Sequence, residues 1–184
     1  MAERATVPAA ATWGLLVAWA LHDAEELATM PGWVRRRRSH LEARLPWVPS
    51  SVWDRMDLSR AHTTTAIALV GGIVAAAAAD GARTGGRSPL YQGVLTVFGL
   101  HTVTHLAQAA LTRGYTPGVV TAPLIAAPFS LWAWRRLRRA GVPATGPGVG
   151  ALALLPVVAG GAHGLAGLIT RAAHPRTTRR GPTP

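Results

Sequence analysis

Residues 9–30 read AAATWGLLVAWALHDAEELATM, and this stretch decides the fold. It carries no ionisable side chain up to Leu21 and is long enough to cross a bilayer core of about 30 Å as a helix. Four ionisable residues then follow before the helix-breaking Pro31-Gly32 pair, namely His22, Asp23, Glu25 and Glu26. The stretch therefore predicts a first membrane-spanning helix with imidazole and carboxyl groups near one end.

The rest of the chain repeats the separation of long apolar stretches from short charged ones. Hydrophobic residues make up 49% and charged residues 15%, whereas soluble domains carry about 25% charged residues. We therefore predict an all-α integral membrane bundle of about five transmembrane helices in residues 1–170, followed by a disordered basic tail at 171–184. The predicted spans are 9–30, 61–79, 89–112, 117–134 and 149–170.

The net charge of +11 comes from arginine alone, and the absence of cysteine excludes disulfides and thiolate metal sites. Because the arginines flank apolar stretches, we expect them to contact the lipid bilayer and not nucleic acid. The basic segment 34–60 predicts an amphipathic surface helix broken at Pro46 and Pro49. The side with more arginines, twelve against seven, is expected inside, which places the N-terminus outside and the C-terminus in the cytoplasm.

Histidines and carboxylates recur at helical spacing inside the predicted spans. His22 and Glu26 are four residues apart, as are His101 and His105, so each pair shares a helix face. Since successive spans run antiparallel, we expect seven such side chains from four helices to lie in one layer of one leaflet. They are His22, Glu25, Glu26, His62, His101, His105 and His163.

An ionisable residue at the centre of a span costs about 2.5–3.5 kcal/mol. A chain retains such groups if they pair with each other, bind an ion or face water. Imidazole and carboxylate ligands suit a divalent transition metal, so we predict an iron, zinc or manganese site. The alternative is a hydrogen-bonded network that holds the bundle together or relays protons. The predicted metal ligands are His22, Glu25, Glu26, His101 and His105, with His62 and His163 in support.

Individual residues have further interpretations. Glu25 is predicted to be either a ligand or the catalytic general base, because a carboxyl group in an apolar site suits proton transfer near neutral pH. His62 could instead be interfacial, and His163 could hydrogen-bond a facing helix. His40 and His174 are expected on the surface.

The motif of residues 21–26, LHDAEE, followed by Pro31-x-Trp33, resembles the signature of the HXXEE-domain family of bacterial membrane proteins. The later pair His101-x-x-x-His105 and the turn at 115–118, YTPG, are also similar to that family's pattern. The resemblance covers roughly residues 13–163. It implies a bacterial inner-membrane location and a shared site, and it implies no particular reaction.

Three functions are compatible with these patterns. The first is a membrane metalloenzyme, an oxidoreductase or hydrolase, that acts on a small or lipid-soluble substrate. The second is a proton- or ion-coupled carrier in which the same residues form a relay, which predicts pH-dependent flux without metal. The third is a non-catalytic membrane scaffold. The sequence determines neither the substrate nor the oligomeric state.

Overall fold

The chain folds into helices joined by turns. A computed structural model describes residues 6–145 and 153–173, and no strand occurs within those ranges. The prediction of an all-α protein is therefore confirmed. The α-helices are α1 (Ala9–Thr12), α2 (Gly14–Thr29), α3 (Trp33–Arg44), α4 (Ser50–Met56), α5 (Arg60–Arg83), α6 (Pro89–Thr112), α7 (Ala127–Arg139) and α8 (Leu154–Ala173), and a π-helix (Ala122–Ala126) directly precedes α7.

Two helices, α5 and α6, are long and apolar enough by length and composition to cross a membrane. The mean hydropathy of their most apolar windows is 1.7 and 1.3, and only 28% and 22% of those windows are buried inside the protein. Apolar side chains such as Ile73 and Val103 consequently face outward, which favours association with a lipid phase. Within the described ranges, these are the helices that meet both the length and the hydropathy criteria.

The other predicted spans differ from the observed elements. Trp13 separates α1 from α2 inside the predicted span 9–30. The predicted span 117–134 begins as a turn and continues as the π-helix and α7. Pro123 and Pro128 lie in this segment, and proline has no N–H for the regular α-helical ladder. The predicted span 149–170 corresponds to α8, while residues 149–152 and the part of the predicted tail from His174 onward lie outside the described residues.

The basic segment after α2 forms a hairpin, α3–α4, with an apolar core of its own. Val34, Leu41 and Trp53 are buried together there. The sequence predicts that the arginines of the run 35–38 contact lipid headgroups. Three of the four instead bind other groups of the protein. Arg35 pairs with Asp57, and Arg38 pairs with Glu42 and Asp54.

Arg36 joins this hairpin to the end of α2. Its guanidinium donates to the carbonyl oxygens of Pro31 at 2.8 Å and Thr29 at 3.0 Å. Thr29 is the last residue of α2 and Pro31 lies just beyond it, where backbone acceptors lack partners within the helix and attract cations. The hairpin therefore stabilises the helix end that carries the HDAEE sequence.

Helix α2 contacts several other elements of the fold. It packs against α5 on one side and against the π-helix and α7 on another, while α6 packs against α5, α7 and the π-helix. Gly71 of α5 allows Trp19 of α2 to approach, since a Cβ on Gly71 would lie 2.7 Å from the indole ring. This packing brings the C-terminal half of α2 close to the C-terminal half of α6, where the histidines of both helices lie.

Candidate metal centre

The histidine pair on α6 is in direct contact. Ser88 caps the helix by accepting from the Tyr91 N–H, and Pro89 occupies the first turn, where proline is favoured. Regular helical geometry from there places His101 and His105 one turn apart. Their Nε2 atoms are 2.7 Å from each other, and the ring centroids are 4.2 Å apart.

Helix α2 brings two more ligand atoms to the same point. The Glu26 Oε1 atom lies 3.4 Å from His105 Nε2 and 3.9 Å from His22 Nε2. The ring of His22 contacts both α6 imidazoles edge to face, with centroids 5.6 Å from His101 and 4.9 Å from His105. One atom from each of the four side chains falls within 4.8 Å of all the others.

This four-residue cluster is shielded from solvent. His22 is 1% exposed, His105 3% and Glu26 13%, while His101 is half-buried. Burial of a carboxylate among imidazoles is costly unless the groups compensate each other's charge. Within the part of the chain that the structure describes, these four side chains form a group of histidine and carboxylate residues that lie close enough together to hold a metal ion.

The outer ring nitrogens of the α6 pair have oxygen partners that fix where the protons are. His105 Nδ1 lies 2.9 Å from the Pro117 carbonyl oxygen, which can only accept, so Nδ1 donates. His101 Nδ1 lies 3.1 Å from the Thr104 hydroxyl, which itself donates to the His101 carbonyl at 2.7 Å. His101 Nδ1 is therefore also a donor. In neutral imidazoles, both Nε2 atoms then carry lone pairs that face the cluster.

Glu25 faces a different set of groups from Glu26. Its carboxylate accepts from the Tyr115 hydroxyl at 2.7 Å, from the Thr121 hydroxyl at 2.6 Å and from the Thr121 N–H at 2.8 Å, with the Val120 N–H at 3.4 Å. Thr121 Oγ1 is in turn 2.8 Å from His22 Nδ1. Partial burial raises the pKa of the Tyr115 phenol, and its hydrogen bond to Glu25 acts in the same direction. The phenol therefore remains a donor to Glu25.

His62 and His163 form a pair of their own. His62 begins α5, His163 lies on α8, and the His62 Nε2 and His163 Nδ1 atoms are 3.1 Å apart. The ring planes are inclined by 14° with centroids 5.2 Å apart. Five of the seven predicted ligands thus lie around α2 and α6, while these two connect α5 to α8.

The predicted surface residue His40 is half-buried instead. Its Nε2 atom is 2.7 Å from the Thr112 carbonyl oxygen at the end of α6. Since the carbonyl accepts, His40 donates and links α3 to α6. The second predicted surface histidine, His174, lies outside the described residues.

Several groups that shape the site were not among the predicted site residues. Thr121 and the Pro117 carbonyl bind the outer nitrogens of His22 and His105. Gly118 adopts a φ of +83°, and a Cβ there would lie 2.8 Å from His105 Nδ1 and 3.0 Å from Glu26 Oε1. The sequence indicates a turn at 115–118, and the contacts of this turn with α2 depend on tertiary packing.

Fold and site together define the class: an all-α protein with three histidines and one glutamate converging between two of its helices. A family model described as "Protein of unknown function with HXXEE motif" matches residues 13–133. The chain belongs to this HXXEE family, and all four clustered residues lie inside the matched region. No curated protein and no solved structure matches the chain.

Proposed function

We propose that the protein is an integral membrane metalloenzyme, an oxidoreductase or hydrolase, that acts on a small or lipid-soluble substrate. His22, Glu26, His101 and His105 would hold one divalent transition-metal ion. The observation that carries this proposal is the 2.7 Å distance between the Nε2 atoms of His101 and His105, because neither atom carries a proton when both imidazoles are neutral.

Two lone pairs at that distance repel each other unless a cation lies between or beside them. A single proton would satisfy one pair of acceptors. Here four potential ligand atoms converge, including Glu26 Oε1 and the His22 Nε2 atom. A metal ion satisfies all four at once, which a proton does not.

The four ligand atoms lie within 4.8 Å of one another, close to the spacing expected around one ion. Two ligands about 2.1 Å from a tetrahedral metal lie about 3.4 Å from each other. The observed separations of 2.7, 3.4 and 3.9 Å surround this value. Three imidazole nitrogens and one carboxylate oxygen suit zinc, iron or manganese.

The chain's own groups supply the surroundings that a reactive centre needs. The carboxylate of Glu26 offsets positive charge, and the burial of His22 and His105 limits water. A bound metal ion would act there as a Lewis acid or activate a water molecule. Access from the bilayer between apolar helix faces would favour a small or lipid-soluble substrate.

We also propose five membrane spans in a bacterial inner membrane, with the N-terminus outside and the C-terminus in the cytoplasm. Besides α5 and α6, helix α8 exposes large apolar side chains, with Val157 67% and Leu168 65% exposed. On α2, Val17 and Leu21 are exposed as well. Such surfaces are stable against lipid and unfavourable in water.

The proposed topology is testable because the chain has no cysteine. Ala82→Cys, near the end of α5, is expected to react with a membrane-impermeant maleimide in intact spheroplasts. Ser39→Cys, on α3, is expected to react only after permeabilisation. The opposite pattern would reverse the orientation, and equal labelling of both sites in intact spheroplasts would exclude a span between them.

The metal proposal is tested by elemental analysis of the full-length protein purified in detergent. We expect about one zinc, iron or manganese ion per chain after purification or after loading. The double variant His62→Ala/His163→Ala is the matched control, because it removes two imidazoles outside the four-residue cluster and should retain the ion. Failure of the wild-type chain to bind any of the three metals stoichiometrically would refute the proposal.

The runner-up function is the proton-coupled carrier, because a proton shared by His101 and His105 would also relieve their 2.7 Å contact. That function predicts pH-dependent flux in liposomes that does not need metal and is lost in Glu26→Gln. Metal-independent flux together with absence of stoichiometric metal would favour it over the enzyme.

A further inference from the structure

We infer that Glu25 is a positioning residue that acts through Thr121 to hold His22 in the tautomer whose proton is on Nδ1. The two adjacent carboxylates of the HDAEE sequence then have different tasks: Glu26 contributes a ligand atom, and Glu25 sets the hydrogen bonding of a histidine ligand. The consequence for metal affinity rests on the proposed function, whereas the tautomer itself does not.

The direction of the hydrogen bonds follows from the atoms in the chain Glu25–Thr121–His22. A threonine hydroxyl has one hydrogen to donate. Every group that contacts the Glu25 carboxylate within 3.0 Å is a donor, and the Thr121 hydroxyl is the nearest at 2.6 Å. Since that hydrogen is directed at Glu25, Thr121 Oγ1 can only accept from His22 Nδ1, 2.8 Å away.

The other ring nitrogen of His22, Nε2, is available to bind a cation. With the proton on Nδ1, His22 Nε2 carries a lone pair, and this atom is buried without any hydrogen-bond partner in the described chain. It lies 3.9 Å from Glu26 Oε1, beside the Nε2 atoms of the other two imidazoles. A buried acceptor without a partner is unfavourable, and a bound cation would remove that cost.

Glu25 fixes the position of Thr121 as well as the direction of its hydroxyl. The same carboxylate oxygen accepts both the backbone N–H and the hydroxyl of Thr121. Thr121 directly precedes the π-helix, so its side chain is held between α2 and the segment that returns toward α7. Histidine ligands of metal sites commonly donate their outer N–H to such a partner, and its loss lowers metal affinity about 10–100-fold.

If the hydrogen bonds of the chain Glu25–Thr121–His22 only held α2 against the segment before α7, their loss would leave the tautomer of His22 unchanged. The alternative tautomer is available, because a small movement of the Glu26 carboxylate, whose Oε1 lies 3.9 Å from His22 Nε2, would let it accept a proton directed from that nitrogen. Removal of the Thr121 hydroxyl should therefore move the proton to Nε2, where it blocks the ligand lone pair.

The experiment is ¹⁵N NMR of histidine-labelled, metal-free, full-length protein at about pH 8, where an ordinary imidazole is neutral. His22→Gln identifies the His22 signals. In wild type we expect protonated Nδ1. Thr121→Val and Glu25→Ala should shift His22 toward protonated Nε2, while Thr121→Ser should preserve the wild-type pattern. Glu25→Gln should preserve it too, because its amide oxygen can accept from Thr121 while its nitrogen donates to Tyr115.

Zinc titration of the same samples gives the functional readout, with an expected loss of about 10–100-fold in affinity for Thr121→Val. Thr96→Val is the matched control, since that hydroxyl bonds only to the Gln92 carbonyl of its own helix. A His22 ring that stays protonated on Nδ1 in Thr121→Val overturns the inference, whatever zinc does. If wild type binds none of zinc, iron and manganese but the tautomer responds, the inference stands and the proposed function fails. Thr121→Val is isosteric and keeps the N–H that binds Glu25, so it remains informative if Glu25→Ala does not fold.

Discussion

His105→Ala is expected to lower the affinity of the protein for its metal ion by more than about 100-fold, since loss of an outer hydrogen-bond partner alone costs about 10–100-fold. His105 contacts each of the other three members of the cluster. Its Nε2 atom is 2.7 Å from His101 Nε2 and 3.4 Å from Glu26 Oε1. Its Nδ1 atom is held by the Pro117 carbonyl, so the ring is oriented before any ion arrives.

Competition with a chromogenic chelator measures this change, and the metal content of the purified variant provides a second measure. His40→Ala and His163→Ala are matched controls: each removes an imidazole with a hydrogen-bond partner, but neither imidazole belongs to the four-residue cluster. Both should keep affinity within a few-fold of wild type. Equal losses in all three variants would mean that the effect of His105→Ala is a general loss of folding.

Gly118→Ala is expected to destabilise the protein and to lose most of its metal. The φ of +83° at Gly118 costs a non-glycine residue about 1–2 kcal/mol. The added Cβ would also lie 2.8 Å from His105 Nδ1 and 3.0 Å from Glu26 Oε1. Either the turn or both ligands must move, and displacement of the His105 ring would weaken its bond to the Pro117 carbonyl.

Gly141→Ala distinguishes the effect of backbone strain from the effect of a Cβ that intrudes on the ligands. Gly141 has a φ of +69°, yet a Cβ there would meet nothing within 4 Å. This variant therefore carries backbone strain without intrusion into the site. We expect denaturation of both variants in detergent to show a loss of stability, and chelator titration to show a loss of metal only for Gly118→Ala. Normal metal affinity in Gly118→Ala would show that the turn at 115–118 does not support the site.

Local sequence patterns predicted the helix that carries the histidine pair very well. The predicted span 89–112 coincides with α6 (Pro89–Thr112), because Ser88 and Pro89 give an unambiguous start. The predicted span 117–134 failed at its first turn. It contains Pro123 and Pro128, and the backbone forms a turn and a π-helix before α7. Whether a proline is tolerated within a regular helix or interrupts it depends on neighbouring helices that the sequence does not display.

The same limit applies to the site. Spacing placed His22 with Glu26 and His101 with His105, since these are one-turn relations within single helices. The assignment of the two adjacent glutamates depends on which helix faces each side of α2. They differ by about 100° around the helix axis, and only tertiary packing places Glu26 at the histidines and Glu25 at Thr121. The pairing of His62 with His163 depends likewise on α8 lying against α5.

The π-helix at Ala122–Ala126 has a consequence for insertions and deletions. A π-turn holds one residue more than an α-turn, so deletion of a single residue such as Leu124 would convert it into a regular α-helical turn. Because the turn would then be completed with one residue fewer, α7 would keep its orientation relative to Thr121, and Ser130 and Ala133 would still face the core in which they are now buried. The π-helix is therefore a position at which this segment can lose one residue without reorienting α7, whereas a deletion within α7 would rotate the helix beyond it by about 100°.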